Sequence, residues 1–221
     1  LTKKHESFGS NCIFLFINQR LINRLFFKKG KIRRLKVYHM VKTVLVPIAD
    51  GTEEIEAVCI IDILRRAGAS VTVASVGRFQ ITASRGTKLI ADTLISDCTA
   101  DKFDLIALPG GMPGAAHLRD SKELELILKQ QQREKRLYAA ICAAPAVVLQ
   151  HHGLLASHRA TCHPDFVHQL GNTDAVESRV VIDGICITSR GPGTAIEFAL
   201  KLVELLYDKG KADEISQSMV V

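Results

Sequence analysis

Between residues 43 and 210, short and wholly apolar runs alternate with longer stretches of helical periodicity. This alternation constrains the fold more than any other feature of the chain. The runs are TVLVPIA (43–49), SVTVASV (70–76), FDLIALPGG (103–111), RLYAAIC (136–142) and GICITS (184–189). Apolar runs of this length suit strands buried on both faces, as in a parallel sheet. Between them lie TEEIEAVCIIDILRRAG (52–68), SKELELILKQQQREK (121–135), APAVVLQHHG (144–153) and GTAIEFALKLVELLYDKG (193–210), each read as a helix. Thr52 is the expected cap of the first, with Glu54 and Glu56 favouring its positive end and Gly68 ending it. Residues 79–95 read as short strands and turns.

Strands alternating with helices predict a parallel sheet covered on both faces. Residues 41–221 are therefore expected to form one α/β domain, a flavodoxin-like three-layer sandwich with a mainly parallel sheet. The sequence shows no internal repeat or linker. The chain has 221 residues and a net charge of +6, which invites a nucleic-acid reading until the charge is mapped. Residues 1–40 hold ten Lys/Arg against one acid, Glu6, whereas the rest hold nineteen Lys/Arg against twenty-two Asp/Glu. The basicity belongs to the N-terminal segment, so no specific nucleic-acid binding is expected of the core.

That segment, a basic extension outside the core, admits three readings. It is an organelle-targeting peptide, a translated stretch upstream of a true start at Met40, or a basic binding arm. Met40 directly before the first strand favours the second. Its apolar run CIFLFI (12–17) is too short to span a bilayer. The six cysteines, at 12, 59, 98, 142, 162 and 186, form no CxxC and no zinc-type spacing with histidine. A reducing compartment is expected: the cytoplasm, or an organelle if residues 1–40 are a targeting peptide.

In such sheets ligands bind outside the carboxyl ends of the strands. Three places qualify: the turn after residue 49, the Pro-Gly-Gly turn after Leu108, and Cys142. Cys142 stands where a strand turns into a helix, and unpaired N–H groups there are expected to lower a thiol pKa. Small residues flank it, Ala140 and Ala144, as a sharp nucleophile turn requires, and Pro145 suits an early helical position. A buried, inert thiol would fit the same residues. The adjacent glycines of ALPGGMPGA (107–115) let backbone N–H groups approach a reacting oxygen, with Gly111 and Ala143 the candidate donors. Glu56 is a candidate proton carrier. A solvated helix carboxylate is the competing reading. Of the eight histidines, His163 in RATCHPDF (159–166) is the best placed to accompany a reactive thiol. SRGPGT (189–194) is a turn into the last helix. With no GxGxxG and no Walker A motif, neither nucleotide nor metal is expected, and no cofactor.

Taken together and in order, ADGTEEIEAV, LPGGMPGA, AAICAAP, CHP and SRGPGT resemble the DJ-one/PfpI superfamily, most closely its DJ-one branch, over residues 41 to about 221. The resemblance implies a flavodoxin-like fold and a homodimer. It implies a reactive Cys142 hydrogen-bonded by a protonated Glu56. Gly110, Gly111 and Ala143 would line the oxyanion site, and His163 the pocket. Arg66 and Arg85 match basic positions near the family's pocket and dimer interface. The activities implied are cofactor-free conversion of methylglyoxal-type 2-oxoaldehydes to 2-hydroxy acids and removal of early glycation adducts. The alternative is a redox-sensing, stress-protective or chaperone-like role through oxidation of Cys142. Ala144 stands where many members have Gly. Ala83 and Ile90 stand where some animal members carry further cysteines, so regulation through secondary thiols is not expected.

Overall fold

The computed structural model describes residues 41–156 and 158–221. The basic extension, residues 1–40, lies outside the described residues. Seven strands form one sheet: β1 (Thr43–Ile48), β2 (Ser70–Ser75), β5 (Thr93–Leu94), β6 (Leu105–Leu108), β7 (Leu137–Ile141), β8 (Val180–Asp183) and β9 (Cys186–Ser189). Their order across it is β5-β2-β1-β6-β7-β9-β8. All neighbours pair in parallel except β8 with β9. β3 (Gln80–Thr82) and β4 (Lys88–Ile90) form a separate antiparallel hairpin. The expected α/β class and mainly parallel sheet are what the chain adopts.

The central strands are apolar because neither face meets water. All four residues of β6 are buried, as are Tyr138, Ala139, Ala140 and Ile141 of β7. Helix α1 (Glu54–Arg66) buries Glu56, Ala57, Ile60, Ile63 and Leu64, one stripe at helical spacing, and packs against α4 (Ala195–Leu206). Helices α2 (Gly114–Asp120) and α3 (Lys122–Arg133) form another helical group, with α2 against the segment after β7 and α3 against β7. No helix among the described residues is long and apolar enough to cross a membrane.

Three local expectations are corrected. Thr52 does not cap α1: its hydroxyl accepts the Ala49 N–H at 2.9 Å, closing the turn after β1, and Glu53 is the cap residue. The helix expected over 193–210 is two, because Asp208 takes the Lys211 N–H at 2.8 Å and starts α5 (Lys209–Ser218). The segment after Cys142 is a short π-helical turn, Pro145–Gln150, with Pro145 at its first position, rather than a helix over 144–153.

Candidate active site

β1, β6, β7 and β9 end at the same edge of the sheet, and the chemistry-bearing residues gather there. Cys142 directly follows β7. It adopts φ 65°, the left-handed region that costs a side-chain-bearing residue about 1–2 kcal/mol. Its N–H donates to Ser189 O at 3.1 Å, and its carbonyl accepts the His163 N–H at 2.8 Å. These two bonds fix the strained residue at the turn, with 8% of its surface exposed.

Gly110 lies against it. A Cβ on Gly110 would sit 2.6 Å from the Cys142 Cβ, so only glycine fits. The Gly110 N–H donates to Glu56 Oε2 at 2.7 Å, and its carbonyl accepts the Glu53 N–H at 2.9 Å. Gly110 thus joins the start of α1 to the nucleophile's turn. Around it, Gly51, Gly111 and Gly114 bring two backbones into contact: a Cβ on Gly111 would lie 2.4 Å from Glu53 N, and one on Gly114 2.4 Å from Thr52 N.

Glu56 is fully buried on the apolar stripe of α1. Its Oε1 has no hydrogen-bond partner, and the Cys142 thiol and the Glu53 charge act on the carboxyl besides the Gly110 N–H. Burial pushes the Glu56 pKa up to about 7, against the opposing effects of the Gly110 N–H and the thiol; the Glu53 charge adds to the rise. Burial first, then the charge of an ionised Glu56, pushes Cys142 up to about 12, against the pull of the Gly111 and Ala143 N–H groups. The lowered thiol pKa expected from the turn is therefore not what the surroundings impose. The two groups titrate as a pair, and a proton on Glu56 removes the charge that opposes the thiolate.

Of the remaining candidates, His163 adjoins the site through its backbone bond to Cys142. Its ring, with the side chain 37% exposed, lies 3.5 Å from where a Cβ on Gly191 would be, and Nδ1 accepts the Asp165 N–H at 3.3 Å. Arg66 is not brought to the site. It ends α1, roughly 15 Å along the helix from Glu56, and pairs with Asp62 at 2.6 Å. Arg85 is exposed in the β3–β4 turn, where its N–H donates to the Glu54 carboxylate at 3.1 Å.

Nothing in the sequence marks that carboxylate as an anchor. Glu54 also accepts from Ser84 Oγ at 2.9 Å and from the Thr87 N–H at 3.4 Å. What burial there is would raise its pKa, but its own backbone N–H and then these bonds prevail and bring it down to about 2. Ser84 Oγ also lies 2.7 Å from Glu53 Oε2, so the hairpin is fastened to the first turn of α1. An open depression of about 540 Å³, lined by Asp50, Arg78, His117, Asp120 and Lys122 among others, lies by the ends of β1 and β2 and shares no residue with the Cys142 cluster. Among the described residues, no group of three or more His, Cys, Asp and Glu is placed to hold a metal ion.

The model of the DJ-1/PfpI family matches residues 42–205. The Arabidopsis thaliana protein named Protein DJ-1 homolog A is 54% identical over 183 residues, which cover 81% of this chain and 47% of the relative. The chain thus spans about half the length of that plant relative. A Caenorhabditis elegans protein named Glutathione-independent glyoxalase DJR-1.2 is 37% identical over 174 residues, 78% of this chain and 91% of that protein. The solved structure of oxidized Toxoplasma gondii DJ-1 superposes with a TM-score of 0.79 at 49% identity, covering 81% of this chain and 98% of that one.

Proposed function

This chain belongs to the DJ-1/PfpI family, and we propose that it is a cofactor-free, cysteine-dependent glyoxalase or deglycase, acting on methylglyoxal-type 2-oxoaldehydes or early glycation adducts. The observation that carries this reading is the buried Glu56 carboxyl, its pKa raised to about 7, held by the N–H of the same Gly110 that packs against Cys142. An acid–base group works best when its pKa lies near the working pH. A relative named as a glyoxalase supports the same reading.

The Cys142 sulfur attacks the aldehyde carbon, and the carbonyl electron pair moves to the oxygen, which the Gly111 and Ala143 N–H groups hold. Protonation of that oxygen gives a hemithioacetal. Glu56 takes the proton from the former aldehyde carbon and returns one to the neighbouring carbonyl carbon. The first carbon is oxidised and the second reduced, so no external electron acceptor is consumed. Water then attacks the resulting 2-hydroxyacyl thioester. The C–S bond breaks, the thiol is restored and the 2-hydroxy acid leaves. In this reading His163, whose N–H donates to the Cys142 carbonyl, lines the substrate pocket.

A second reading, redox sensing, draws on the oxidized state of the Toxoplasma structure. Peroxide would take Cys142 to the sulfinate, whose oxygens the same two N–H groups would hold. Lactate formation from methylglyoxal separates the readings. The enzyme gives lactate, and Cys142→Ser and Glu56→Ala abolish it. No lactate above the Cys142→Ser background excludes the enzyme reading.

A symmetric homodimer belongs to the proposal. Ile55 and Val58 are exposed on α1, with Cys59 beside them half-buried, an apolar face that a second copy would cover. Light scattering at micromolar concentration is expected to give twice the chain mass, and a monomer mass would remove any role for Arg66 across an interface.

A further inference from the structure

A left-handed, non-glycine nucleophile persists only where its surroundings over-determine it. At Cys142 the determinants are two backbone bonds, one to Ser189 O and one from the His163 N–H. Ser189 is the last residue of β9, in register with Ile141, and the chain turns away immediately after it. Something must therefore aim its carbonyl.

Two buried hydroxyls are placed to do so. Ser189 Oγ lies 2.7 Å from Arg179 O and 2.7 Å from Thr194 Oγ1. Thr194 Oγ1 lies 2.9 Å from Gly191 O and accepts the Gly191 N–H at 3.2 Å. Both side chains are shut off from water, Ser189 completely. Each hydroxyl supplies one proton, so two protons serve two of the three oxygen–oxygen contacts at a time. When one hydroxyl donates to the other the pair is linked directly, with the second donating to its carbonyl, Arg179 O for Ser189 or Gly191 O for Thr194. The link ties the end of β9 to the residue before α4 and to the strand-leading residue Arg179. It also holds Gly191 through both its N–H and its carbonyl. The backbone bond that the Cys142 N–H makes to Ser189 O thus traces back to these two hydroxyls.

We propose that Ser189 and Thr194 are positioning residues for Cys142, a hydroxyl latch that touches no substrate but holds the nucleophile's backbone so that its sulfur stays against the Gly111 and Ala143 N–H groups. The proposal rests on the reading of Cys142 as the nucleophile.

The test compares Thr194→Val, Ser189→Ala and Thr194→Ser with the full chain. Its readouts are the pH dependence of Cys142 alkylation by iodoacetamide, followed peptide by peptide, and the separate kcat and KM for methylglyoxal. Thr194→Val keeps the branching and volume and loses only the hydroxyl. It and Ser189→Ala are expected to raise the alkylation midpoint and to slow Cys142 alkylation at neutral pH by roughly tenfold, with kcat falling alike. KM should stay within about twofold, because the latch does not touch substrate. Thr194→Ser, which keeps the hydroxyl, is expected to restore the wild-type profile. If Ser189→Ala fails to fold, the two Thr194 variants decide. A wild-type alkylation profile in Thr194→Val overturns the latch, as does a Thr194→Ser profile no better than that of Thr194→Val. A wild-type chain that makes no lactate, while Thr194→Val still shifts the alkylation profile, overturns the glyoxalase reading and leaves the latch standing.

Discussion

Gly110 and Cys142 touch across two strand ends so closely that a methyl group on Gly110 would sit 2.6 Å from the Cys142 Cβ and 2.8 Å from Ile141 O. The same Gly110 holds Glu56 through its N–H. Gly110→Ala is therefore expected to lose about 1–3 kcal/mol in urea unfolding, the usual cost of overpacking. It should lose activity well beyond that, since Glu56 and Cys142 move apart. An unfolding midpoint and lactate rate equal to wild type would show that the contact is slack.

Removing the charge of Glu56 while keeping its shape separates thiol reactivity from turnover. In Glu56→Gln the ionised carboxyl that pushes Cys142 up is gone, so the Cys142 alkylation midpoint is expected to fall below that of wild type. Turnover is expected to fall by about a hundredfold or more, since the amide cannot carry a proton between carbons. Alkylation followed by peptide mass spectrometry, beside a lactate assay, checks both. Unchanged turnover would transfer the proton-carrying role to His163.

The raised Glu56 pKa also makes the fold sensitive to pH. In the folded chain Glu56 holds its proton to about pH 7, whereas unfolded it releases it near the ordinary glutamate value of 4.5. Between those values the native state binds more protons, so stability declines as pH rises from about 4.5 to 7 and levels off above, by on the order of 3 kcal/mol. Thermal melts from pH 4.5 to 8 are expected to show this fall in wild type and a flatter course in Glu56→Gln. Equal slopes for the two would place the dependence elsewhere.

The Glu54 anchor gives a local prediction. Glu54→Gln weakens its acceptors for the Arg85 and Thr87 N–H groups and for Ser84. The effect on global stability is expected to be only about 1 kcal/mol, because the site is near the surface. Hydrogen exchange at Arg85 and Thr87 should quicken, while exchange in β1 and β6 stays as before. Uniform acceleration across the sheet would show that the hairpin is part of one cooperative unit.

The strands were legible because burial on both faces writes itself as an apolar run, and β1, β2, β6, β7 and β9 all fall within those runs. β8 was not, since an antiparallel edge strand with only Val181 buried carries no such signature. The break after Leu206 escaped because the apolar spacing continues to its edge, and Asp208 reads equally well as a polar-face residue or a cap. At the site, Cys142 and the two glycines announced themselves through small neighbours at a strand end. Glu56 left a stronger sign than its place near a helix start: it shares a stripe with Ile60 and Ile63, where a carboxylate must be buried. Ser189 and Thr194 left none, for their role exists only once β9 lies beside β7. Arg66 shows the reverse, a residue carried by resemblance whose position at the far end of α1 keeps it from Cys142.

The stacked glycines at 51, 111 and 114 set what can vary around this centre. Where backbones meet backbones, no side chain can be exchanged for a smaller one, so drift has no intermediate steps to take there. A saturation library is expected to find these positions as intolerant as Cys142 itself, though their missing side chains perform no chemistry. Substrate preference can change only in what surrounds them, such as exposed Met112. The machinery is thus fixed by main-chain volume, and diversification is left to its rim.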